Sequence, residues 1–399
     1  MTGMITSDAL AARLGELADI GVRADGVHRL AWSDEDAATR AWFEEQAAGA
    51  GLRVARDPAG NLWACPEATA PWWGIGSHLD SVRGGGRFDG PLGVACGFAI
   101  AAGAPRPVAV LSFADEEGAR FNTPTFGSKA LSGGLDLPTV LDRLDDAGTR
   151  LGDAMRDAGV DPDGIGEAPG WLGRLSGFIE IHIDQTTELA GAGEPVGIVT
   201  SLASRTRLQV HLRGRADHAG TTPRAERRDA LSAGARLIVA AEDLAGEDPN
   251  LTITTSRIIA KPNAPTTIAA DVRLWIDARA PGFAAVDAWR SRLDQRRREL
   301  EARSGVEIEV SVASRSDARD FSSELRRKLT RATEDVLGHA APELVCFAGH
   351  DAGVLAERVP AAMLLVRNPT GISHSPAETV ALEDAAIAAR VVARALEEA

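Results

Sequence analysis

Short apolar runs alternate with helix-like patterns through the first half of the chain. The runs "WWGIGSHLD" (72–80), "RPVAVLSFADEE" (106–117) and "GFIEIHID" (177–184) predict buried strands, and "GVACGFAIAAG" (93–103) predicts a helix after a glycine-rich loop. Buried strands separated by helices are typical of an α/β fold with a largely parallel sheet. Sites in such folds form at the carboxyl ends of the strands.

The pattern changes near residue 200. Alternating apolar and polar positions in "RTRLQVHLRGRA" (205–216) predict a half-exposed strand. Further on, a helix, two strands, a helix over about 283–303 and a last strand give the order β-α-β-β-α-β, which is typical of a small α+β sandwich. We therefore expect a large α/β domain, residues 1–203 and 318–399, with a smaller domain inserted at 204–317.

Two stretches have simpler interpretations. The segment "SDALAARLGELADIG" (7–21) predicts an amphipathic helix with Ser7 or Asp8 as its N-cap, and it lacks the features of a signal peptide. The segment 145–170 begins as a helical pattern and then becomes polar and rich in glycine and proline, so we expect a surface loop.

Composition narrows the class of protein. The 399 residues are 44% hydrophobic and 25% charged, as in an ordinary soluble globular protein of two domains. The net charge of −14, without a basic run, argues against a nucleic-acid partner, and no apolar run is long enough to span a membrane. Three scattered cysteines favour a reducing cytoplasm over a disulfide framework.

Histidines and acids lie where the predicted strands end. Imidazole and carboxylate groups on rigid elements are what a divalent metal needs. The candidate ligands are His78, Asp89, Glu116, Glu117, His182 and His374. Asp80, two residues after His78, is expected to orient its imidazole through the carboxylate. Asp89 follows a glycine-rich turn, and its carboxylate could bridge two ions.

The adjacent acids Glu116 and Glu117 follow a buried strand. Neighbouring side chains on an extended chain point to opposite sides, so one acid can bind metal while the other takes a proton from the attacking water. Taken singly, each feature has a structural alternative: a Glu-Glu pair is usually a solvated surface, and His182 could be a buried core histidine. We interpret His28, His211 and His339 as structural.

In combination these residues resemble the hydantoinase/carbamoylase branch of the metal-dependent amidases related to carboxypeptidase G, which includes allantoate amidohydrolase and ureidopropionase. The matching motifs span about residues 76–378. In order they are "GSHLDSV", "GGGRFDGPLGV", "DEEGARF", "HIDQ", "DHAGTTPRAERRD", "AGHDA" and "GISHSPAE".

The resemblance implies a metallopeptidase-like catalytic domain with an inserted domain that serves as lid and dimer interface. One or two divalent ions, Zn²⁺ or Mn²⁺ with Co²⁺ and Ni²⁺ as alternatives, would be held by His78, Asp89, Glu117, His182 and His374. Glu116 would be the general base and then the acid, with Asp80 and His218 as further catalytic residues; His218 would polarise the scissile carbonyl, often from the other subunit of a homodimer. The implied substrate contacts are Gln185, His218, Thr266, Arg279, Gly349 and His350.

Arg279 would hold the substrate's carboxylate, since a planar guanidinium matches it; the alternative is an ion pair with Asp277. The sequence also departs from the family pattern. "HIDQT" stands for "HIEQG", Thr266 replaces an asparagine that contacts the substrate amide, and "RNPTGISH" adds Arg367 and Asn368. These changes suggest a different N-acyl group or a more acidic amino acid, such as an N-formyl, N-formimino or N-carbamoyl dicarboxylic amino acid.

The sequence thus predicts a cytoplasmic, metal-dependent amidohydrolase that cleaves a linear C–N bond of a small N-substituted amino acid or ureido acid. The nearest alternative is an aminopeptidase, dipeptidase or aminoacylase of the same broad group. Two others are an inactive homologue that binds a small acid or a protein, and an unrelated α/β binding protein in which these residues are structural.

Overall fold

The computed structural model describes residues 5–104 and 106–397, and their strands form three sheets. The strands are β1 (Val22–Arg23), β2 (Gly26–Val27), β3 (Arg53–Arg56), β4 (Leu62–Cys65), β5 (Trp72–His78), β6 (Val108–Phe113), β7 (Leu175–Ile183), β8 (Val196–Leu202), β9 (Ser204–Arg213), β10 (Thr252–Lys261), β11 (Asp271–Ala280), β12 (Glu307–Ser316), β13 (Arg319–Asp320), β14 (Glu343–Cys346) and β15 (Ala361–Val366).

The α-helices of the described chain lie between and after these strands. They are α1 (Ser7–Ala18), α2 (Asp34–Gly49), α3 (Pro91–Ala101), α4 (Phe126–Ser132), α5 (Leu137–Leu141), α6 (Leu151–Asp157), α7 (Glu188–Ala192), α8 (Ala230–Ala245), α9 (Phe283–Ser304), α10 (Ser323–Leu337), α11 (Asp351–Leu355) and α12 (Leu382–Glu397). None of the helices in residues 5–104 and 106–397 has the length and hydropathy that a membrane span requires.

The chain divides into two compact units. The larger one contains the residues up to Thr200, Asp320–Leu344 and the residues from Gly349 onward; the smaller one contains Ser201–Arg319 and Val345–Ala348. The predicted α/β class with a smaller second unit is confirmed.

The main sheet has a parallel centre. Strands run in the order β13-β8-β15-β7-β5-β6-β4-β3, and the pairs β15–β7, β7–β5 and β5–β6 are parallel. The flanking pairs β8–β15, β4–β6 and β3–β4 are antiparallel, so the predicted parallel order holds for the centre alone. Strands β6 and β15 are buried along their whole length, as parallel strands covered on both faces should be. Helices α1, α3, α10 and α12 share one apolar core with the central strands.

Two local predictions were wrong. The N-cap of α1 is Thr6, whose Oγ1 accepts from Ala9 N at 3.2 Å, because Thr6 is the last residue with extended backbone and Ser7 is already helical. In segment 145–170 the predicted helical start is α6, but the part predicted as a surface loop forms a 3-10 helix over Pro162–Arg174, and the apolar side chains Met155 and Ile165 are buried. Glycine and proline at this density concealed that helix.

The smaller unit has the predicted order β9-α8-β10-β11-α9-β12. Its antiparallel sheet runs β10-β11-β9-β12, and α8 and α9 share an apolar core with one face. Along β9, Leu208, Val210 and Leu212 belong to this core, while alternate residues, including Arg205 and Arg207, lie on the other face. This uncovered face is polar.

Gly90 lies very close to His78, the last residue of β5. Its φ is +85°, and a Cβ there would lie 2.6 Å from Nδ1, Cε1 and the carbonyl oxygen of His78. We expect Gly90→Ala to lower the free energy of unfolding by more than the 1–2 kcal/mol or so that a left-handed backbone alone costs. Thermal and urea unfolding would measure the loss.

Gly51→Ala is the matched control, because Gly51 also has a positive φ, +69°, but nothing lies within 4 Å of its added Cβ. An equal loss in the two variants would show that contact with His78 is irrelevant.

Candidate metal centre and active site

Three neighbouring parallel strands bring the predicted ligands to one sheet edge. β5 ends at His78, β7 carries His182 one residue before its end, and Glu116 and Glu117 follow β6 by a few residues. His78 pairs with Phe113 of β6, and Gly76 pairs with Glu180 of β7, so the two histidines lie at the same level of the sheet. Adjacent parallel strands therefore gather these side chains.

His78, Asp89 and His182 form a first ligand group. Oδ1 of Asp89 lies 3.4 Å from His78 Nε2 and 3.1 Å from His182 Nε2. The Nδ1 atoms face backbone oxygens at 3.0 Å, those of Asp80 and Ile183, while both Nε2 atoms are buried and have no hydrogen-bond partner in the described part of the chain. A ring that donates from Nδ1 keeps Nε2 available to a metal.

Asp89, Glu117 and His374 form a second group that shares the Asp89 carboxylate. His374 Nε2 lies 3.4 Å from Glu117 Oε2 and 3.6 Å from Asp89 Oδ2. Bonds of about 2.1 Å in a tetrahedral site put neighbouring ligand atoms about 3.4 Å apart, which matches both groups. The residues therefore fit one or two divalent ions, with Asp89 between the two positions.

The buried acids create an excess of negative charge. Burial and the Asp89 carboxylate raise the pKa of Glu117 to about 8, and burial raises the pKa of Glu116 well above its usual range. Burial opposes the charged form of His182, yet Asp89 raises its pKa to about 9. These raised pKa values favour protonated Glu116 and Glu117 when no cation is bound, and a divalent ion would displace such protons.

Asp80 does not make the predicted contact. His78 Nδ1 faces the backbone oxygen of Asp80, whereas the Asp80 carboxylate lies 3.6 Å away and accepts from the backbone N–H groups of Glu116 and Glu117, both at 3.1 Å. The prediction assumed that the strand continues to Asp80, but β5 ends at His78. Asp80 thus orients the acid pair directly.

Glu116 lies beside the first ligand group. Its Oε2 is 3.8 Å from His78 Nε2, and the side chain is 9% exposed. The preceding residue, Asp115, has a φ of +51°, and His374 has a φ of +55°. Such backbone is sparsely populated and clusters at functional sites, where surrounding structure holds it.

Of the predicted substrate contacts in the larger unit, Gln185 and His350 lie beside the first ligand group. Gln185 Nε2 donates to Asp89 Oδ2 at 2.8 Å. His350 is buried, and its ring centroid is 4.3 Å from that of His182; among residues 5–104 and 106–397, neither of its ring nitrogens has a hydrogen-bond partner. Burial and the charge of His182 lower the pKa of His350 well below its usual range, so the ring is neutral. Gly349 is exposed.

Glu180, His182 and His350 also lie close enough to hold an ion. Both Glu180 oxygens are already engaged, because Ser77 Oγ donates to Oε1 at 2.7 Å and Ala352 N donates to Oε2 at 2.8 Å. We therefore assign Glu180 to the support of the site.

The remaining predicted contacts lie in the smaller unit. Nδ1 of His218 accepts from Gly220 N at 3.0 Å and Thr221 N at 3.1 Å, so the neutral ring carries its proton on Nε2. The Thr266 side chain is exposed, and its carbonyl oxygen accepts from the N–H of Ala219.

Arg279 donates from Nε to Asp277 at 2.6 Å and from Nη1 to the Phe347 carbonyl at 2.5 Å, so the ion pair considered as an alternative is formed. The histidines interpreted as structural also have acidic partners: His28 pairs with Asp25, His211 with Asp271 and His339 with Glu194.

Arg367 adds no free charge to the loop before His374. Its guanidinium donates to both oxygens of Asp384, at 2.8 and 3.1 Å. Asn368 holds the loop from within, accepting from the N–H groups of Thr370 and Gly371. The positive charge inferred from Arg367 is therefore neutralised by α12, which the sequence pattern did not reveal.

Sequence reasoning missed several supporting residues, among them Glu378, Ser373 and Arg29. Oε1 of buried Glu378 accepts from Phe88 N and Asp89 N, both at 2.9 Å, and Ser373 Oγ lies within 3.3 Å of Glu378 Oε2 and 2.9 Å of Asp89 Oδ2. Buried Arg29 donates from Nε to Leu79 O at 2.9 Å and so fixes the turn after His78. Glu378 ends the quoted motif "GISHSPAE", which was the available signal.

Comparison with known proteins identifies the family. The sequence profile of peptidase family M20/M25/M40 matches residues 74–398. An N-carbamoyl-L-amino acid amidohydrolase of Geobacillus stearothermophilus is 34% identical over 400 residues, covering 98% of this chain and 97% of that protein. Allantoate amidohydrolase of Escherichia coli is 31% identical over 383 residues, covering 93% of this chain and 92% of that protein.

Among solved structures, a hydantoinase/carbamoylase family amidase from Burkholderia ambifaria superposes with a TM-score of 0.83 at 33% identity, covering 98% of this chain and 97% of that one. The chain belongs to peptidase family M20/M25/M40. The predicted resemblance to the hydantoinase/carbamoylase amidases and the predicted enzyme class, a hydrolase, are confirmed.

His182→Ala should strongly weaken metal binding at the first ligand group. The substitution removes one of the two imidazoles that face the buried Asp89 carboxylate. We expect at least about 100-fold weaker binding of Mn²⁺ or Zn²⁺, since even residues behind metal ligands contribute 10–100-fold. Calorimetry and elemental analysis after dialysis would measure this, with His211→Ala as the control. Unchanged metal stoichiometry and affinity would refute the ligand assignment.

Glu378→Gln should weaken metal binding about 10-fold while all ligands remain, because an amide holds the backbone of Phe88 and Asp89 less firmly than a carboxylate does. Calorimetric titration of the metal-free protein tests this. Glu383→Gln, at an exposed acid that pairs with Arg390, is the control. Wild-type affinity in Glu378→Gln would remove Glu378 from the support of Asp89.

Proposed function

We propose that this chain is a metal-dependent amidohydrolase that cleaves a linear C–N bond, amide, ureido or amidine, in a small N-substituted amino acid or ureido acid. The observation that carries the proposal is the Asp89 carboxylate lying between two imidazole-containing ligand groups, with Glu116 beside them. The relatives named N-carbamoyl-L-amino acid amidohydrolase and allantoate amidohydrolase support the substrate class.

In this proposal His78, Asp89, Glu117, His182 and His374 hold one or two divalent ions, either Zn²⁺ or Mn²⁺. Such an ion makes a water nucleophilic near neutral pH and polarises the carbonyl under attack. The imidazoles of His78 and His182 are held at Nδ1 by backbone oxygens, so each would present its Nε2 atom to a metal in a fixed direction. Gln185 and Ser373 restrain the bridging carboxylate.

Glu116 is the proposed general base, because its carboxylate lies 3.8 Å from His78 Nε2 and is not assigned as a ligand. The carboxylates of Asp80, Glu180 and Glu378 are instead engaged by hydrogen-bond donors of the surrounding structure. A raised pKa suits this task, since a carboxylate that takes a proton must also return it to the leaving nitrogen. The Asp80 carboxylate holds the backbone on which Glu116 lies, which restricts the directions in which the base can point.

The smaller unit is proposed to act as a lid and dimer interface and to supply two substrate contacts. His218 Nε2–H is a donor suited to the oxygen of the scissile carbonyl, and donors of this kind contribute a few kcal/mol to catalysis. Arg279 is proposed to hold the substrate carboxylate with the guanidinium nitrogen that Asp277 and Phe347 leave available. The free, buried cysteines agree with a cytoplasmic enzyme.

The test is release of amino groups and ammonia from N-carbamoyl, N-formyl, N-formimino and N-acetyl amino acids, allantoate and dipeptides. The protein is preloaded with Mn²⁺ or Zn²⁺, and a chelated sample is the control. We expect chelator-sensitive hydrolysis of one non-peptide class. Hydrolysis of dipeptides alone would favour a peptidase, and no turnover by the metal-loaded protein would refute the proposal.

Glu116→Gln should keep the metal and lose at least about 10³-fold in kcat, because removing a general base typically costs 10²–10⁴-fold. Metal content and turnover are measured on the same preparation, so that loss of the ion and loss of the base can be told apart. Near-normal turnover would remove Glu116 from the mechanism.

A further inference from the structure

Three neighbouring arginines lie at one end of the uncovered face of the sheet in the smaller unit. Strands β9 and β11 are antiparallel, and their register places Arg205 directly opposite Arg279 and Arg207 directly opposite Asp277. Directly opposed residues project from the same face of a sheet. We call Arg205, Arg207 and Arg279 the arginine cluster.

The arginine cluster contains more positive charge than its single acid neutralises. Asp277 accepts from Arg207 Nε at 2.8 Å and from Arg279 Nε at 2.6 Å, so both of its oxygens are used. Three guanidinium groups against one carboxylate leave a net charge of +2 within the arginine cluster and Asp277. Like charges on directly opposed residues repel each other and destabilise a sheet. An anion that binds between the two residues reduces this repulsion.

Arg205 is the member without a partner. It is half-buried, and within the described residues its guanidinium makes no hydrogen bond or ion pair; its Nε is fully buried and unsatisfied. Burial and the charge of Arg207 lower its pKa, and Asp277 is the sole acid that acts against them. A half-buried guanidinium whose Nη groups have no partner among the described residues is suited to bind a carboxylate.

We propose that Arg205 binds a second carboxylate, in the side chain of the substrate, next to the carboxylate that Arg279 holds. The inference rests on the proposed function and narrows it to dianionic N-substituted amino acids, such as N-substituted aspartate or glutamate. Two surplus charges match two carboxylates. Arg279 has Nε and Nη1 engaged by Asp277 and Phe347, so Arg205 is the guanidinium free for the additional group.

The experiment compares substrates that differ by one charge at almost constant shape. Racemic N-carbamoyl-aspartate and N-carbamoyl-asparagine form one pair, and the glutamate and glutamine derivatives form the other. Each is tested with the metal-loaded wild-type enzyme, Arg205→Gln, Arg205→Lys and the control Arg213→Gln. Arg213 lies on the same strand and face, but it pairs with Glu307 and Glu309.

We expect the wild type to favour the dicarboxylic member of a pair by at least about 10-fold in kcat/KM, the size of a charged hydrogen-bond interaction. Arg205→Gln should remove this preference, mainly through a higher KM for the dicarboxylic member. Arg205→Lys should keep part of the preference, and Arg213→Gln all of it.

Three results would overturn the inference while leaving the proposed function intact: hydrolysis by the wild type without a charge preference, an equal fall for both members of a pair in Arg205→Gln, or an unchanged preference in that variant. An equal fall would mean that Arg205 and Arg279 grip one carboxylate together. Absence of turnover for all four derivatives and for the wider substrate panel would refute the proposed function and this inference with it.

Discussion

The position of one carboxylate, that of Asp89, is the constraint around which the site is organised. Its Oδ1 faces the Nε2 atoms of His78 and His182 at 3.4 and 3.1 Å, and its Oδ2 faces His374 at 3.6 Å. Three chain segments must therefore be fixed to within a few tenths of an ångström relative to one turn. The parallel strands β5 and β7 fix two of them, and the turn itself is fixed by the N–H groups of Phe88 and Asp89, which donate to the Glu378 carboxylate.

The support of the site is made largely of backbone contacts. His78 and His182 are oriented by carbonyl oxygens, and the Asp80 carboxylate holds the N–H groups of two successive acids. Because these contacts are made by the backbone, the positions of the metal-ligand side chains depend on the backbone conformation. A small shift of the backbone would therefore move several of these side chains at once. Gly90 serves the same purpose, because a Cβ at this position would lie 2.6 Å from His78 and displace it.

How much of this could be predicted depends on how far each feature follows from local pattern. Buried strands ending in His78 and near His182 indicate a site because parallel strands end at one edge. The role of the Asp80 carboxylate depends on where β5 stops, and the neutralisation of Arg367 by Asp384 depends on packing between distant segments. Glu378 lies in a motif that the sequence showed, but its contact with the Asp89 turn depends on the folded structure. The pattern of apolar and polar residues does not reveal such a contact between distant segments.

The two units contain local charge excesses of opposite sign: negative at the buried acids of the larger unit and positive at the arginine cluster of the smaller unit. In the larger unit, buried acids outnumber the cations that face them, and burial with mutual repulsion keeps Glu117 protonated until a metal arrives. In the smaller unit, Arg205 lies among like charges with one carboxylate to balance three guanidiniums. Each excess costs folding free energy in isolation and would be relieved by the opposite kind of ligand, a divalent cation in one unit and, in our proposal, carboxylates in the other. A metal ion and an anionic amino-acid derivative are therefore the pair of ligands that this charge distribution favours.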